Sequence, residues 1–346
     1  MSGVDFLGNN VTMRDIAARL GVSSVTISKA LNDKEGVSDE LKQKIKEVAE
    51  EMGYRFNTLA KSMKEGQAYN IGVIIPERFT GEIQSFYLKF YQHIARVLDQ
   101  HQYSGILHIL SSEDEDQNVL PRIYYDKKVD GLLILGQISN DYINLLNSIE
   151  IPTVYIDFYN EDAEADTVIT DNFYGVYEMT NYLIKNGHKE IGFVGNIYST
   201  SSIQDRFLGF YKSLLEHKLP LNQAYVINDR DDRGKYIDLE LPEKLPTAFV
   251  CNCDQIAYNL INKLNSLGYR VPENCSVVGF DNDIYAQIAE PKLTTVEVDI
   301  EEMSRTAVKL IIAKLKSKQK KWEQVSVKGK IVYRNSVMQL TESRAK

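Results

Sequence analysis

The sequence is poor in the residues that mark several large classes of protein. Its 346 residues include only three cysteines, one tryptophan and eight prolines. No apolar run approaches the roughly 20 residues of a membrane-spanning helix. Three cysteines make no disulfide framework, so a reducing cytoplasm is the expected compartment. The N-terminus carries neither the basic nor the apolar region of a signal peptide, which agrees with that expectation. Cys251 and Cys253 form a C-x-C pair, but no second pair or nearby histidine completes a zinc site. They are expected as small buried or half-buried thiols. The glycine-rich loops of nucleotide enzymes and the G-x-S-x-G of serine hydrolases are missing. His188 falls in a helix-to-strand turn, and Asp281-Asn-Asp283 lacks the further carboxylates of a metal site. No catalysis, metal or cofactor is expected. An excess of positive charge is missing too, for the net charge is −8. The acidic excess lies beyond Gly66, since residues 1–66 carry ten basic and ten acidic side chains. A neutral head can bind nucleic acid if its cations share one face, but net charge offers no independent support.

What is present is ordinary globular composition, 43% hydrophobic and 25% charged, in a chain long enough for two or three domains. Thr12 and Asp15 stand as a capping box that starts a helix at Met13. Ile16, Ala17 and Leu20 form one apolar face at helical spacing, and Gly21 suits a left-handed C-cap. Ser23 can cap a second helix, in which Val25 or Ile27, together with Ala30 and Leu31, can pack inward. Ser24, Val25, Ser28 and Lys29 fall on or near its exposed side. Two helices joined by about three residues including a glycine have the form of a DNA-binding helix-turn-helix, or of a plain helical hairpin. Ser38 then caps a third helix with the stripe Leu41, Ile45, Val48, Ala49 and Met52, closed by Gly53. The next segment, to Gly66, has too little apolar surface to be a stable helix alone.

From Asn70 onward, buried-type strands alternate with helices. Strands are expected near 71–75, 104–109, 131–135, 153–156, 190–194, 247–251 and 276–280. Helical patterns lie near 84–100, 116–126, 173–186, 203–217, 255–267 and 301–316. Continuous apolar strands separated by helices indicate parallel sheets covered on both faces, and the number of elements suits two such sheets. Ligands in such folds bind at the carboxyl ends of strands.

Three stretches together carry a specific resemblance. The first is Val11-Thr12, Asp15-Ile16-Ala17, Gly21-Val22-Ser23, Thr26-Ile27-Ser28-Lys29 and Leu31-Asn32. The second is Val37-Ser38, Val48, Gly53-Tyr54 and Asn57, with Phe56 where proline is usual. The third is Val278-Gly-Phe-Asp-Asn282 followed by Pro291-x-Leu-Thr-Thr-Val296. On these motifs the chain resembles, over nearly its whole length, the LacI/GalR (lactose-repressor) family of bacterial transcription regulators. The resemblance implies an N-terminal three-helix helix-turn-helix bundle over residues 1–56 and a hinge helix over 57–68. It also implies an α/β domain like a type I periplasmic binding protein over 69–346. That domain would have two doubly wound lobes, a cleft and three crossovers. Lobe 1 is expected at about 69–157 and 294–322, lobe 2 at about 158–293 and 323–346.

The resemblance also assigns roles. Ser24, Val25 and Lys29 match base-reading positions; Thr26 and Ser28 suit phosphate contacts; Thr12 and Ser23, at the two helix starts, complete the DNA-contacting set of the head. Lysine can donate to guanine O6/N7, whereas valine can only touch an apolar edge such as a thymine methyl. In the hinge, Asn57, Lys61, Met63 and Lys64 match the minor-groove segment, with Met63 as the apolar wedge that unstacks a base step. In the effector cleft, Phe86 and Tyr87 match an aromatic wall. Asp157, Arg206 and Asp281 match cleft residues that grip a ligand, and Asn252 and Cys253 occupy the stretch usually written A-N-D. Many members have arginine at position 29 and a polar residue at 25, so a familiar operator is not to be assumed. The implied function is a cytoplasmic homodimeric (possible tetramer) regulator of carbohydrate-use genes. It would bind double-stranded operator DNA and answer to a sugar-type effector. The alternatives are a co-repressor responding to a phosphorylated carrier protein, or a non-transcriptional sugar-binding protein.

Overall fold

Capping chemistry sets the first helices. Thr12 Oγ1 accepts from Asp15 N at 3.4 Å while Asp15 Oδ2 accepts from Thr12 N at 2.8 Å, and α1 runs Met13–Leu20. Gly21 then turns the chain at φ +65° with nothing near the position a Cβ would occupy. Ser23 Oγ accepts from Thr26 N at 3.0 Å to start α2, Ser24–Leu31. Ser38 caps α3, Asp39–Glu51, in the same way. Ile16, Ala17, Ile27, Ala30, Ile45 and Ala49 make the core of this bundle, with Leu20, Leu31, Leu41, Val48 and Met52 packed against it. Of the two residues that could have faced inward on α2, Ile27 is fully buried and Val25 is 65% exposed. The computed structural model describes residues 11–54, 66–81, 86–231, 234–317 and 322–340, and the chain divides into two compact units between Gln67 and Ala68.

The second unit holds β1 (Asn70–Pro76), α4 (Phe86–Gln100), β2 (Ser104–Leu110), α5 (Ser112–Asp116), α6 (Arg122–Tyr125), β3 (Gly131–Leu135), α7 (Asn140–Asn147), β4 (Thr153–Ile156) and β5 (Asp166–Thr170). It continues with α8 (Asn172–Lys185), β6 (Ile191–Val194), α9 (Ser201–Glu216), β7 (Val226–Ile227), β8 (Ala248–Cys251) and α10 (Asp254–Ser266). After these come β9 (Ser276–Asp281), α11 (Ile284–Ile288), β10 (Thr294–Glu297), α12 (Ile300–Lys316), β11 (Gln324–Val327) and β12 (Lys330–Val332). Two six-stranded sheets result, ordered β11-β5-β4-β3-β1-β2 and β12-β10-β9-β8-β6-β7. Every pairing is parallel except β10 with β12.

The sheets correct the expected lobe limits. β5 pairs with β4 and belongs to the first lobe, although it lies beyond residue 157. β10 pairs with β9 in the second lobe, although 294–322 was assigned to the first, and β11 pairs with β5 in the first. The chain therefore crosses after β5, after β10 and between β11 and β12, each crossing a strand later than the resemblance implied. The polarity of β5 explains the miss. Its residues Asp166, Thr167 and Thr170 are buried because partners distant in sequence satisfy them. Asp166 accepts from Glu323 N at 2.7 Å and pairs with Lys314 at 2.9 Å. The single helix expected over 116–126 is instead α5 and α6, since Pro121 ends any helical run that would enter it and serves as N-cap to α6. The edge strands β7 and β12 and the helices α7 and α11 carried no strong pattern.

Close approaches fix the packing of the second lobe. A Cβ on Gly209 of α9 would stand 2.1 Å from the Phe173 carbonyl oxygen of α8, so only glycine lets these two helices approach so closely. His188 is buried in the turn before β6, with Nδ1 3.0 Å from Thr247 Oγ1 and Nε2 3.0 Å from the Met338 carbonyl. It is a structural staple.

Candidate functional site

On the N-terminal unit, Ser24, Val25 and Lys29 are exposed on α2, and Thr26 and Ser28 are half-buried beside them. Thr12 and Ser23 remain solvent-facing while their hydroxyls cap the two helices, and Ser23 Oγ also lies 2.9 Å from Thr26 Oγ1. Several cations of this unit are tied to carboxylates: Arg19 to Glu51 at 3.0 Å, Lys46 to Asp33 at 2.7 Å. Lys29 forms no ion pair among the described residues. Thus a segment of zero net charge still presents a cation on the α2 face. Asn57, Lys61, Met63 and Lys64 lie outside the described residues.

In the second unit, one cavity lies at the carboxyl ends of both sheets, and all seven expected effector residues line it. Asp157 follows β4, Asp281 ends β9, and Asn252 and Cys253 follow β8. Arg206 projects from α9, and Phe86 and Tyr87 from the first turn of α4. The convergence follows from topology, because parallel strands deliver all their carboxyl ends to one edge.

The two carboxylates are unusual. Asp157 has φ +69° and Asp281 φ +108°, left-handed conformations that cost a non-glycine residue energy and gather at functional sites. The Tyr87 hydroxyl donates to Asp157 Oδ2 at 2.8 Å, while buried Asp157 Oδ1 has no hydrogen-bond partner. Burial pushes the Asp157 carboxyl up, against Arg206 and the Tyr87 hydrogen bond. Burial likewise pushes Asp281 well up, opposed by Arg206 and reinforced by Asp254, Asp157 and Asp283. One guanidinium thus serves two carboxyls. Arg206 is itself fixed: Nε donates to Asn172 Oδ1 at 2.8 Å, Nη1 to the Asn252 carbonyl at 2.6 Å, and the group lies 3.9 Å over the Phe280 ring. Its Nη2 is 3.6 Å from Asp281 Oδ1.

The other members differ in how free they are. Cys253 is half-buried, its thiol pushed up to about 12 by burial and Asp281, with Arg230 opposing. It is a poor nucleophile. Asn252 touches the cavity, yet its amide is committed to the protein: Nδ2 donates to the Val194 carbonyl and to Asp229 Oδ2, both at 2.9 Å. Phe86 and Tyr87 pack edge-on at 5.2 Å, with Phe79 5.2 Å from Tyr87. The lobes meet across the cavity through the Lys89–Asp283 ion pair, the Tyr159–Asp205 hydrogen bond at 2.9 Å and Ser201 Oγ on Gln137 Oε1 at 3.2 Å.

Arg230, Tyr236, Gln137 and Asp283 also line the cavity and were not expected there. The one available signal was Asp229-Arg230 just after Val226–Ile227, a charged pair at the end of a strand-like run. The chemistry is that of a ligand-binding cleft: acceptor carboxylates, guanidinium donors and aromatic faces around a polar molecule. Among the described residues no three His, Cys, Asp or Glu side chains cluster to hold a metal, and no helix is long and apolar enough to cross a membrane.

Comparison with known proteins places both units. Residues 12–57 match the family described as bacterial regulatory proteins, lacI family, and residues 180–337 match the periplasmic binding protein-like domain. The HTH-type transcriptional repressor PurR of Vibrio parahaemolyticus is 28% identical over 335 residues, 95% of this chain and 99% of that protein. The Lac repressor dimer bound to operator and the anti-inducer ONPF superposes with a TM-score of 0.75 at 21% identity, covering 95% of this chain and all of that one. A CelR–cellobiose complex gives 0.66 at 21% identity, over 94% of this chain and all of its own. With a capped helix-turn-helix followed by two parallel-sheet lobes around one polar cleft, this chain joins the DNA-binding domain of the lacI family of bacterial regulatory proteins to a periplasmic binding protein-like domain.

Proposed function

We propose that the chain is a cytoplasmic, homodimeric repressor, without enzymatic activity, of genes for carbohydrate use. Its operator is double-stranded DNA, and a sugar or sugar derivative in the cleft sets its affinity for that operator. The observation that carries this reading is the convergence of Asp157, Asp281, Arg206 and the Phe86–Tyr87 wall on one cavity between two lobes. Carboxylate acceptors, a fixed donor fork and a flat apolar wall are what a polyhydroxylated ring needs. On the head, Ser24, Val25 and Lys29 read bases in the major groove. Met63, flanked by Lys61 and Lys64, wedges the operator centre together with its dimer mate. A two-fold dimer imposes a pseudo-palindromic operator. The effector acts by preferring one lobe arrangement while operator DNA prefers another, a coupling of about 1–3 kcal/mol or roughly 5- to 150-fold in affinity.

The test begins by selecting operator sequences from random duplex DNA with the full chain. Operator affinity is then measured with and without each of a set of sugars that shift the melting temperature. A palindromic consensus and one sugar that changes affinity by about fivefold or more are expected. Arg206→Ala should abolish that change while leaving sugar-free operator binding intact. Random sequences recovered in place of a consensus would refute the DNA arm; an effect that survives Arg206→Ala would refute the cleft arm.

A further inference from the structure

Asn252 holds both guanidinium groups of the cavity. Its main-chain carbonyl accepts from Arg206 Nη1 at 2.6 Å, and its side-chain Oδ1 accepts from Arg230 Nη2 at 3.3 Å. Arg230 is 7% exposed and gripped from one edge: Nε and Nη2 donate to Asp229 Oδ2 at 3.0 and 2.7 Å. Asp229 is in turn fully buried and accepts from Asn196 N at 2.8 Å and from Asn252 Nδ2. One face of the guanidinium stacks 4.9 Å from the Tyr236 ring, and Arg230 pairs with Tyr236 as a β-bridge. The remaining nitrogen, Nη1, makes no hydrogen bond to the described residues, and the side chain lines the cavity. Arg230 is therefore a buried donor pre-oriented by three partners with one edge left for a ligand, the arrangement that preserves a donor's strength inside a low-dielectric site.

We propose that Arg230 is the residue that selects the effector, its Nη1 donating to one ligand oxygen, and that Asn252 acts through Arg230 instead of on the ligand. The proposal rests on the reading of this cavity as the effector site and adds the ligand's polarity. Along the second sheet, β9, which ends at Asp281, and β7, which precedes Arg230, are separated by β8 and β6. The ligand thus presents hydroxyl donors to Asp157 and Asp281 and an oxygen acceptor to Arg230. That oxygen is uncharged. Arg230 is paired with Asp229, Asp283 with Lys89 and Arg206 with Asp281, so among the described residues each of these cations already has a carboxylate partner and none is left over for a phosphate or carboxylate. The effector class is a neutral polyol.

The test is a melting-temperature and calorimetry panel on the full chain. It uses D-glucose, D-galactose, D-ribose and cellobiose, the 2-deoxy and 6-deoxy analogues of the two hexoses, 2-deoxy- and 5-deoxy-D-ribose, D-glucuronate and D-glucose 6-phosphate. The wild type should bind one parent sugar about tenfold more tightly than one particular deoxy analogue, the worth of a hydrogen bond to a charged donor. It should bind the two anions more weakly than glucose. Arg230→Met should erase that one ratio and leave discrimination against the other deoxy analogue unchanged. Arg230→Lys keeps the charge beside Asp229 but not the fork, and should erase it too, which guards against Arg230→Met failing to fold. Asn252→Ala should reproduce the loss, and the double variant should lose nothing more. Unchanged ratios in Arg230→Lys would overturn the selecting role of Arg230. A double variant weaker than either single one would return Asn252 to the ligand, and preference for either anion would overturn the neutral class. All three leave the effector cleft standing. A wild type that no sugar of the panel stabilises would remove the sugar reading and this proposal together.

Discussion

The three-helix unit closes its core over about forty residues with contacts between neighbours in the chain, whereas each α/β lobe is completed by strands that arrive after an excursion into the other lobe. In the small unit, each helix begins at a hydroxyl cap, Thr12, Ser23 or Ser38. Among the described residues its core is six buried side chains. In the large one, β11 joins β5 in the first sheet about 155 positions later, a separation that no local pattern encodes. The comparison teaches where each unit is fragile. A core that small has no redundancy, while the lobes have a large apolar reserve but buried polar joints.

The sharpest way to break the comparison is Ile27→Ala. The side chain is fully buried, and such truncations cost about 2–5 kcal/mol, a large share of the stability of so small a unit. Operator binding should be lost at 37 °C while any sugar-induced melting shift of the lobes persists. Loss of both together would show that the units do not fold separately.

A smaller effect probes a polar joint of the lobes. Asp254 begins α10, accepting from Thr295 Oγ1 at 2.6 Å and from Asp283 N at 2.9 Å, and burial pushes its carboxyl up to about 7. An unfolded aspartate titrates near 3.9. Between those values the folded state holds a proton that the unfolded state has released, so stability falls as pH rises through the window. Asp254→Asn can keep both hydrogen bonds and should flatten that fall when urea midpoints are compared at pH 5, 6 and 7. An unaltered slope would assign the pH dependence to another group. Asp15, in the small unit, behaves oppositely: its hydrogen bonds with Thr12 hold its carboxyl below the usual value.

The smallest expected change in stability comes from Val25→Ala. At 65% exposure the side chain contributes little to the core, so the melting temperature should move by no more than about 0.5 kcal/mol implies. The same substitution should alter preference at one base pair of each half-site, where a mismatch is worth about 1–3 kcal/mol. Unchanged operator preference would take Val25 off the reading face.

How much was legible divides along the same line. The helix starts, the stripe of α3 and the strands β3 and β4 were readable because caps and apolar periodicity act over a few residues. The cleft residues Asp157, Arg206 and Asp281 were readable through motif resemblance, and strand ends are where such folds place ligands. The polar strand β5 was not, since Asp166 becomes a core residue only once Glu323 and Lys314 arrive. Nor was Arg230, in a polar stretch whose meaning depends on Asn252, more than twenty positions away.

The sequence by itself therefore determined the helix starts of the head, the inward stripes of α1 and α3 and the parallel α/β texture, because hydrogen-bonded caps and side-chain periodicity are local. Tertiary structure alone decided that Ile27 and not Val25 enters the core, where the chain crosses between lobes, and that Asn252 positions two arginines. Those outcomes depend on which buried polar atoms find partners, and the partners come from strands and helices that only the folded chain brings together.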